Sequence, residues 1–499
     1  MPNRLRLIGA ALALASVSWV AGRASAAAPR ATASADSATV SHVLDLLRSA
    51  DPTVCELAAR ALTRGWGESG APIGGPLTRD VLRIRSHGGS GPVVGAFRAA
   101  LRDSNTCIRE LAAAQVADHD SGSLALFTTL SADRDPALRS TGVLGLGIIG
   151  SDRSLATLEH TLRDQNAHVR AMSAWALGEV GDGDAVSPLA QALHDDSTDV
   201  RRLAARALGS IGVVSALTPL RHALQDPDAT VRQTAAWGLG EIGEKSAVPA
   251  LGAALKDPDP DVRATAVWAL GQISDSTATA PLAQVLEDRD PEVRQMAAWA
   301  LGQVGDRSTV RPLTRALKDR DDDVRNVAAW ALGQVEDASS VPALAAALQD
   351  PSTDVRNTAA WALGEVGVGQ GVGGLAGSLK DSSSDVRSTS AWALGQIASP
   401  QAIDPLKAAL SDPDDDVRET AAWALAQIDD DRAEQAVAAF DEQHDEGRGA
   451  HPHPHPHPGF HRSWSGMPMP IPMPMPMPQP NPGRMRIHVH VPRVRVRPN

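Results

Sequence analysis

Apolar positions recur along most of this chain with a fixed period. A Val-Arg pair marks each step: Val169-Arg170, Val200-Arg201, Val231-Arg232, Val262-Arg263, Val293-Arg294, Val324-Arg325, Val355-Arg356, Val386-Arg387 and Val417-Arg418. Leu138-Arg139 extends the series backward, and Ile108-Arg109 and Val54-Cys55 continue it out of register. A fixed period of this length marks a repeat architecture, here of about twelve units. Within residues 246–274, Val248, Leu251 and Leu255 fall at i, i+3 and i+7, which predicts one amphipathic helix. A second helix starts behind Asp259, an N-cap residue, with Pro260 in its first turn. Asp290-Pro291 and Asp135-Pro136 repeat that signal, and the acids that follow, Asp261 and Glu292, suit the helix dipole. The second helix is expected to bury one stripe: Val262, Ala266, Ala269, Leu270 and Ile273.

Two short helices cannot bury their apolar faces alone, so the units must stack. The predicted fold class is all-α, an α-α superhelix spanning residues 39–446. A polar segment at 429–446, with Val437 and Phe440 three apart, reads as a cap helix. The length of 499 residues exceeds what one ordinary core organises, and an array absorbs it. Aromatic residues make up only 3%, as expected if Ala-lined interfaces bring helices close together. Two segments break the period. Residues 63–92 are a Gly- and Pro-rich insertion without a phosphate-loop signature, hence a surface loop. Residues 367–379, GVGQGVGGLAGSL, hold six glycines where a first helix is due. At about 1 kcal/mol per glycine, that helix is expected to be weak or absent, leaving a soft joint.

The words VRQTAAWGLGEIG at 231–243 and VPALAAALQD at 341–350 resemble the HEAT-repeat superfamily, specifically the short PBS-lyase-type HEAT-like repeats. The resemblance covers about residues 40–430 and implies a HEAT-like solenoid. It implies no single activity, since such repeats serve scaffolds, bilin lyases and deoxyhypusine hydroxylases alike. The hydroxylases hold iron through repeated His-Glu pairs. This chain has no His-Glu dipeptide, only a reversed Glu159-His160. No residue carries over from the lyases as catalytic, and hydrolase, zinc-protease and nucleotide-binding motifs are absent. The expectation is therefore a binder and not an enzyme.

Charge divides the chain. Residues 1–26 and 447–499 contain three and seven Arg and no acid, so the net −12 leaves −22 on residues 27–446. Such a body is a poor nucleic-acid binder. At the start, Arg4 and Arg6 precede an apolar run from Leu7 to Val20, and Ala24-Ser25-Ala26 closes it. This is the pattern of a signal peptide cleaved near Ala26, with residues 27–38 as a linker. The protein is expected to be exported, periplasmic or extracellular, with no membrane span after cleavage. An oxidising compartment makes Cys55 and Cys107 candidates for a disulfide. Stacked helices lie about 8–10 Å apart, beyond the ~7 Å reach of a bridge, so two buried thiols stay open as the other reading.

Two ladders and a tail are the candidate sites. The arginines at 139, 170, 201, 232, 263, 294, 325, 356, 387 and 418 are expected to be structural, each bonding an acid or carbonyl of the neighbouring unit, with Asp199, Asp261, Asp323, Asp354, Asp385 and Asp416 standing ready two positions before the Arg. Trp175, Trp237, Trp268, Trp299, Trp330, Trp361, Trp392 and Trp423 form a second ladder, replaced by Leu144 and Arg206 in two units. At about 100° per residue, Trp268 lies about 240° from Val262. It faces either the neighbouring unit or an open concave surface, where a row of indoles would hold an extended peptide or glycan. In the tail, His451, His453, His455 and His457 alternate with Pro, and Met467, Met469, Met473, Met475 and Met477 follow in the same style. Residues 447–483 read as a disordered polyproline II spacer. Its imidazoles and thioethers suit weak copper or zinc binding; no other cofactor is expected. Residues 484–499 alternate Met485, Ile487, Val489 and Val491 with Arg484, Arg486, His488 and His490, a basic strand-like pattern. It is suited to a partner, an anionic surface or the acidic body itself. The reading is an exported scaffold that binds another macromolecule, a protein, along its concave face, with metal handling by the tail as the alternative. A lyase or hydroxylase of the related families is the weaker one.

Overall fold

The computed structural model describes residues 37–49, 91–120 and 122–445. Every described regular element is a helix. A regular unit has a three-residue 3-10 turn, a seven-residue helix and a fourteen-residue helix. In one unit these are Lys245–Ala247, Val248–Ala254 and Pro260–Ile273. The long helix begins where the sequence places it. Asp259 accepts from the amides of Asp261 and Val262, and Asp290 and Asp135 accept from those of Glu292 and Ala137. These bonds satisfy amides that the first helical turn leaves without partners. Each regular long helix stops at a left-handed residue, in most units a glycine such as Gly243 at φ 71°.

Long helices stack directly on one another, whereas each short helix packs chiefly on its own long helix. The long helices therefore form one continuous row, with the short helices laid along it. Val262, Ala266, Ala269, Leu270 and Ile273 are buried as expected, but so are Arg263, Val267, Trp268 and Gly271. The buried surface is wider than one stripe because three neighbours enclose each long helix: its own short helix and the long helices on either side.

The Gly-rich segment departs from expectation. Gly369–Gly371 is a 3-10 turn and Val372–Ser378 a seven-residue helix like the others. Val372, Leu375 and Ser378 are buried, and their packing outweighs poor propensity, as tertiary context often does. At the C-terminal end, Asp431–Asp445 is a single helix that buries Ala433 and Ala436, with Val437 packed beside them. The insertion at 63–92 lies outside the described residues but for its last two, which already belong to the helix Gly91–Ala100.

Candidate partner-binding face

The Arg ladder welds each unit to the next. Nε and Nη2 of Arg294 donate to Oδ2 and Oδ1 of Asp319, both at 2.8 Å, and Nη1 donates to the Asp288 carbonyl at 3.0 Å. Arg139, Arg170, Arg201, Arg232, Arg263, Arg325, Arg356 and Arg387 repeat this, pairing with Asp164, Asp195, Asp226, Asp257, Asp288, Asp350, Asp381 and Asp412 at 2.6–2.8 Å. The acid in each case sits in the turn of the following unit. A partner in the neighbouring unit is as expected, but it is none of the acids that stand two positions before the Arg. An acid two positions back on the same helix points about 200° away from the Arg, so Asp199, Asp261 and their equivalents cannot face it. Burial pulls the Asp319 carboxyl upward, but the Arg294 guanidinium and the Asp321 amide hold it below the usual range. The pattern stops at Arg418, which pairs with Asp415 of its own helix. It is also broken at Arg109, which reaches only Thr106 and two carbonyls and leaves a buried Nε without a partner.

The Trp ladder lies between units. Each indole rests on a glycine of the preceding long helix. A Cβ on Gly271 would come within 2.6 Å of Trp299 Cζ3, and Gly147, Gly209, Gly240, Gly302, Gly333, Gly364 and Gly395 meet Trp175, Trp237, Trp268, Trp330, Trp361, Trp392 and Trp423 in the same way. Trp175, Trp237, Trp268 and Trp299 are buried, and the last four are half-buried against the core. The eight indoles are therefore packing elements and do not form an open stacking surface. Where Arg206 replaces Trp, its guanidinium sits 5.1 Å above the Trp237 ring of the following unit, a cation–π contact, and Gly178 meets Ala207 instead of an indole. The glycine partner escapes sequence reasoning. Its one signal is a glycine recurring inside a helix, and it vanishes at both ends of the ladder. Val116 holds the glycine position before Leu144, and Ala426 holds it in the last long helix.

Packing leaves one face of the long helices open. At the register one before each Val, Asp199, Asp261, Glu292, Asp323, Asp354, Asp385 and Asp416 are all exposed. Beside them stand varied, half-buried residues such as Gln295, Asn326, Asn357 and Ser388. Toward the helix ends Glu241, Gln272, Gln303, Gln334 and Glu365 are exposed. Burial first, and then the charges of Asp321, Asp322 and Asp354, raise Asp323 above the ordinary carboxylate range. Asp354 belongs to the next unit, so successive acids on this face feel one another.

A recess interrupts the row where Leu144 stands in place of a Trp. Arg109, Glu110, Ser140 and His168 share its lining. Burial pushes the Glu110 carboxyl up to about 7, against the pull of Arg109, and burial likewise lowers His168. Among the described residues no group of three or more His, Cys, Asp or Glu could hold a metal ion, and no helix is long and apolar enough to cross a membrane. The tail sites, His451 to His457 and Met467 to Met477, lie outside the described residues, as do the basic segment 484–499 and the signal region. Cys107 is disulfide-bonded. Cys55, the other cysteine of the chain, is outside the described residues.

Comparison with known proteins agrees with this geometry. No curated protein sequence matches the chain. Among solved structures it is similar to yeast importin-beta (Kap95p), at 13% identity and a TM-score of 0.50 over 82% of this chain and 71% of that one. It is also similar to Kap95p in a structure with RanGDP, at 14% identity and a TM-score of 0.48 over 81% and 60%. An engineered protein aligns at 22% identity and a TM-score of 0.38 over 68% and 99%. Likeness at these identities speaks to fold alone. The family described as HEAT repeats matches residues 159–232, 217–288, 279–364 and 374–450. Those segments cover more than half of the sequence and contain most of both ladders, and the chain belongs to the HEAT-repeat family.

Proposed function

We propose that this chain is an exported scaffold that holds a protein partner along the open face of its long helices and catalyses no reaction. One observation carries the reading. The other faces of each long helix are taken up by packing, while this face continues from unit to unit, with acids at its rim in each unit from Asp261 to Asp416. Its exposed rim is a repeated row of acids and amides, and the half-buried residues beside that rim vary from unit to unit, as a recognition surface requires. Its acids and amides suit a partner segment rich in Lys or Arg. In importin-beta the same architecture is seen bound to another protein, RanGDP; that is a property of Kap95p and here only a precedent. The disulfide on Cys107 is in keeping with an exported protein, and we assign its partner as Cys55.

The test is co-purification from the native compartment with three forms: residues 27–499, residues 27–446, and the full chain carrying E292Q, D323N, D354N and D385N. A protein retained by the first two and lost from the third supports the face as the site. Proteins retained equally by all three, or by none, overturn it. Recovery of the mature chain only from the cytoplasm would refute export.

A further inference from the structure

We propose that residues 484–499 of this chain dock in cis on the open face of its own long helices, between Asp261 and Asp416. The face is more one-sided than the sequence total suggests. Each of the six long helices from Pro260–Ile273 to Asp415–Ala426 contains a single basic residue, the ladder Arg. That Arg is committed to an Asp, in five units the turn acid of the next unit and in the last Asp415. Meanwhile Asp261, Glu292, Asp323, Asp354, Asp385 and Asp416 close no ion pair among the described residues. The other cations of these units, such as Lys256, Arg289, Arg315, Lys318 and Lys380, sit on short helices and turns. The acids of the open face are thus left without a counter-charge from their own helices.

The segment that would supply it is attached. Residues 484–499 hold Arg484, Arg486, Arg493, Arg495 and Arg497 and no acid. The described array ends at Asp445, and the stretch 446–483 lies between it and Arg484. At about 3.1 Å per residue, that spacer reaches over ~100 Å. Six units at about 8–10 Å place Asp261 and Asp416 roughly 40–50 Å apart, and sixteen extended residues span about 53 Å. Length, position and charge therefore match. Exposed ion pairs are individually weak, but a tether of this kind holds its end at an effective concentration in about the millimolar range. The docked tail occupies the face proposed for the partner, so a partner must displace it. Docking itself does not depend on that partner existing.

The experiment uses a fluorescent peptide of residues 483–499 and the full chain. Its binding is followed by anisotropy at low salt, with circular dichroism confirming the helical fold of every variant. The tail-neutralised chain, carrying R484S, R486S, R493S, R495S and R497S, is expected to bind the peptide about tenfold more tightly than the unmodified chain, because no cis segment competes. Adding E292Q, D323N, D354N and D385N should weaken that binding at least tenfold, whereas E287Q with D404N on the short-helix side leaves it unchanged. Equal binding by unmodified and tail-neutralised chains overturns the proposal. So does full binding after the acids are removed. A peptide that ignores the chain and binds vesicles containing phosphatidylglycerol would overturn it too, and would assign the segment to an anionic surface instead.

Discussion

Gly271→Ala and the pair Gly373→Ala with Gly377→Ala make one chemical change in two settings, and the structure assigns them opposite signs. A Cβ at Gly271 would lie 2.6 Å from Trp299 Cζ3 and 3.2 Å from the Ala300 backbone. Trp299 is 3% exposed and has nowhere to retreat. Overpacking of this kind costs about 1–3 kcal/mol, offset by about 1 kcal/mol of helix propensity, for a net loss of up to about 2 kcal/mol. At Gly373 and Gly377 an added methyl would have no atom within 4 Å. There only propensity acts, and the pair should gain about 2 kcal/mol. Repeat arrays need not unfold in one step, so the assay is hydrogen exchange read by mass spectrometry, helix by helix. Protection should fall over residues 260–304 in the first variant and rise over 372–397 in the second. Equal signs, or a stabilised Gly271→Ala chain, would refute the account of the Trp seat.

Other expectations follow from the ladders and the recess. Arg294→Lys loses the two-pronged contact with Asp319 and should cost about 2 kcal/mol locally, measured by the same exchange experiment. Asp164, Asp195, Asp257, Asp288, Asp319, Asp350, Asp381 and Asp412 are held below their ordinary pKa of 3.8. Depressed carboxyls stabilise fully above their unfolded pKa, so the contribution of the ladder to the urea midpoint, taken as the difference from Arg294→Lys, should be constant above about pH 5 and shrink below about pH 4. Glu110 has the opposite sign, since its raised pKa makes ionisation costly in the fold. Glu110→Gln should stabilise the N-terminal units at pH 8 and do little at pH 4, again by exchange. Metal titration of the full chain, followed by calorimetry, should show weak copper or zinc uptake that disappears when His451, His453, His455 and His457 become Ser. Uptake that persists would place the metal elsewhere.

Much of the fold was legible because the period, caps and apolar spacing all point the same way, as Asp259, Pro260 and Val262 do within four residues. What escaped was the identity of the partners between units. The acid nearest Arg294 in the chain is Glu292, yet the acid in space is Asp319, because a helix turns neighbours at i and i−2 to opposite sides. Trp299 alone looks like a ligand platform, and only Gly271, one long helix earlier, shows it to be a plug. The Gly-rich helix was underrated for a related reason: propensity is a local quantity, whereas Val372 and Leu375 are fixed by neighbours. The open acidic face was half visible, since net charge gives its sign but not the commitment of a long helix's one cation, such as Arg294, to a turn acid.

The seat and plug give the array a direction. Every long helix from Gly147 to Gly395 offers a floor forward, and each Trp projects backward. At the far end the floor is closed, with Ala426 where a glycine would receive another indole and the helix Asp431–Asp445 laid beside it. Head-to-tail contacts of a single kind otherwise propagate without limit. The same joint that lets whole units be inserted or deleted in the middle must therefore be closed off at its ends. Ala426 and the final helix thus close the ladder at its C-terminal end, as Leu144 and Val116 do at its start, and the array is bounded by the loss of plug or seat at each end.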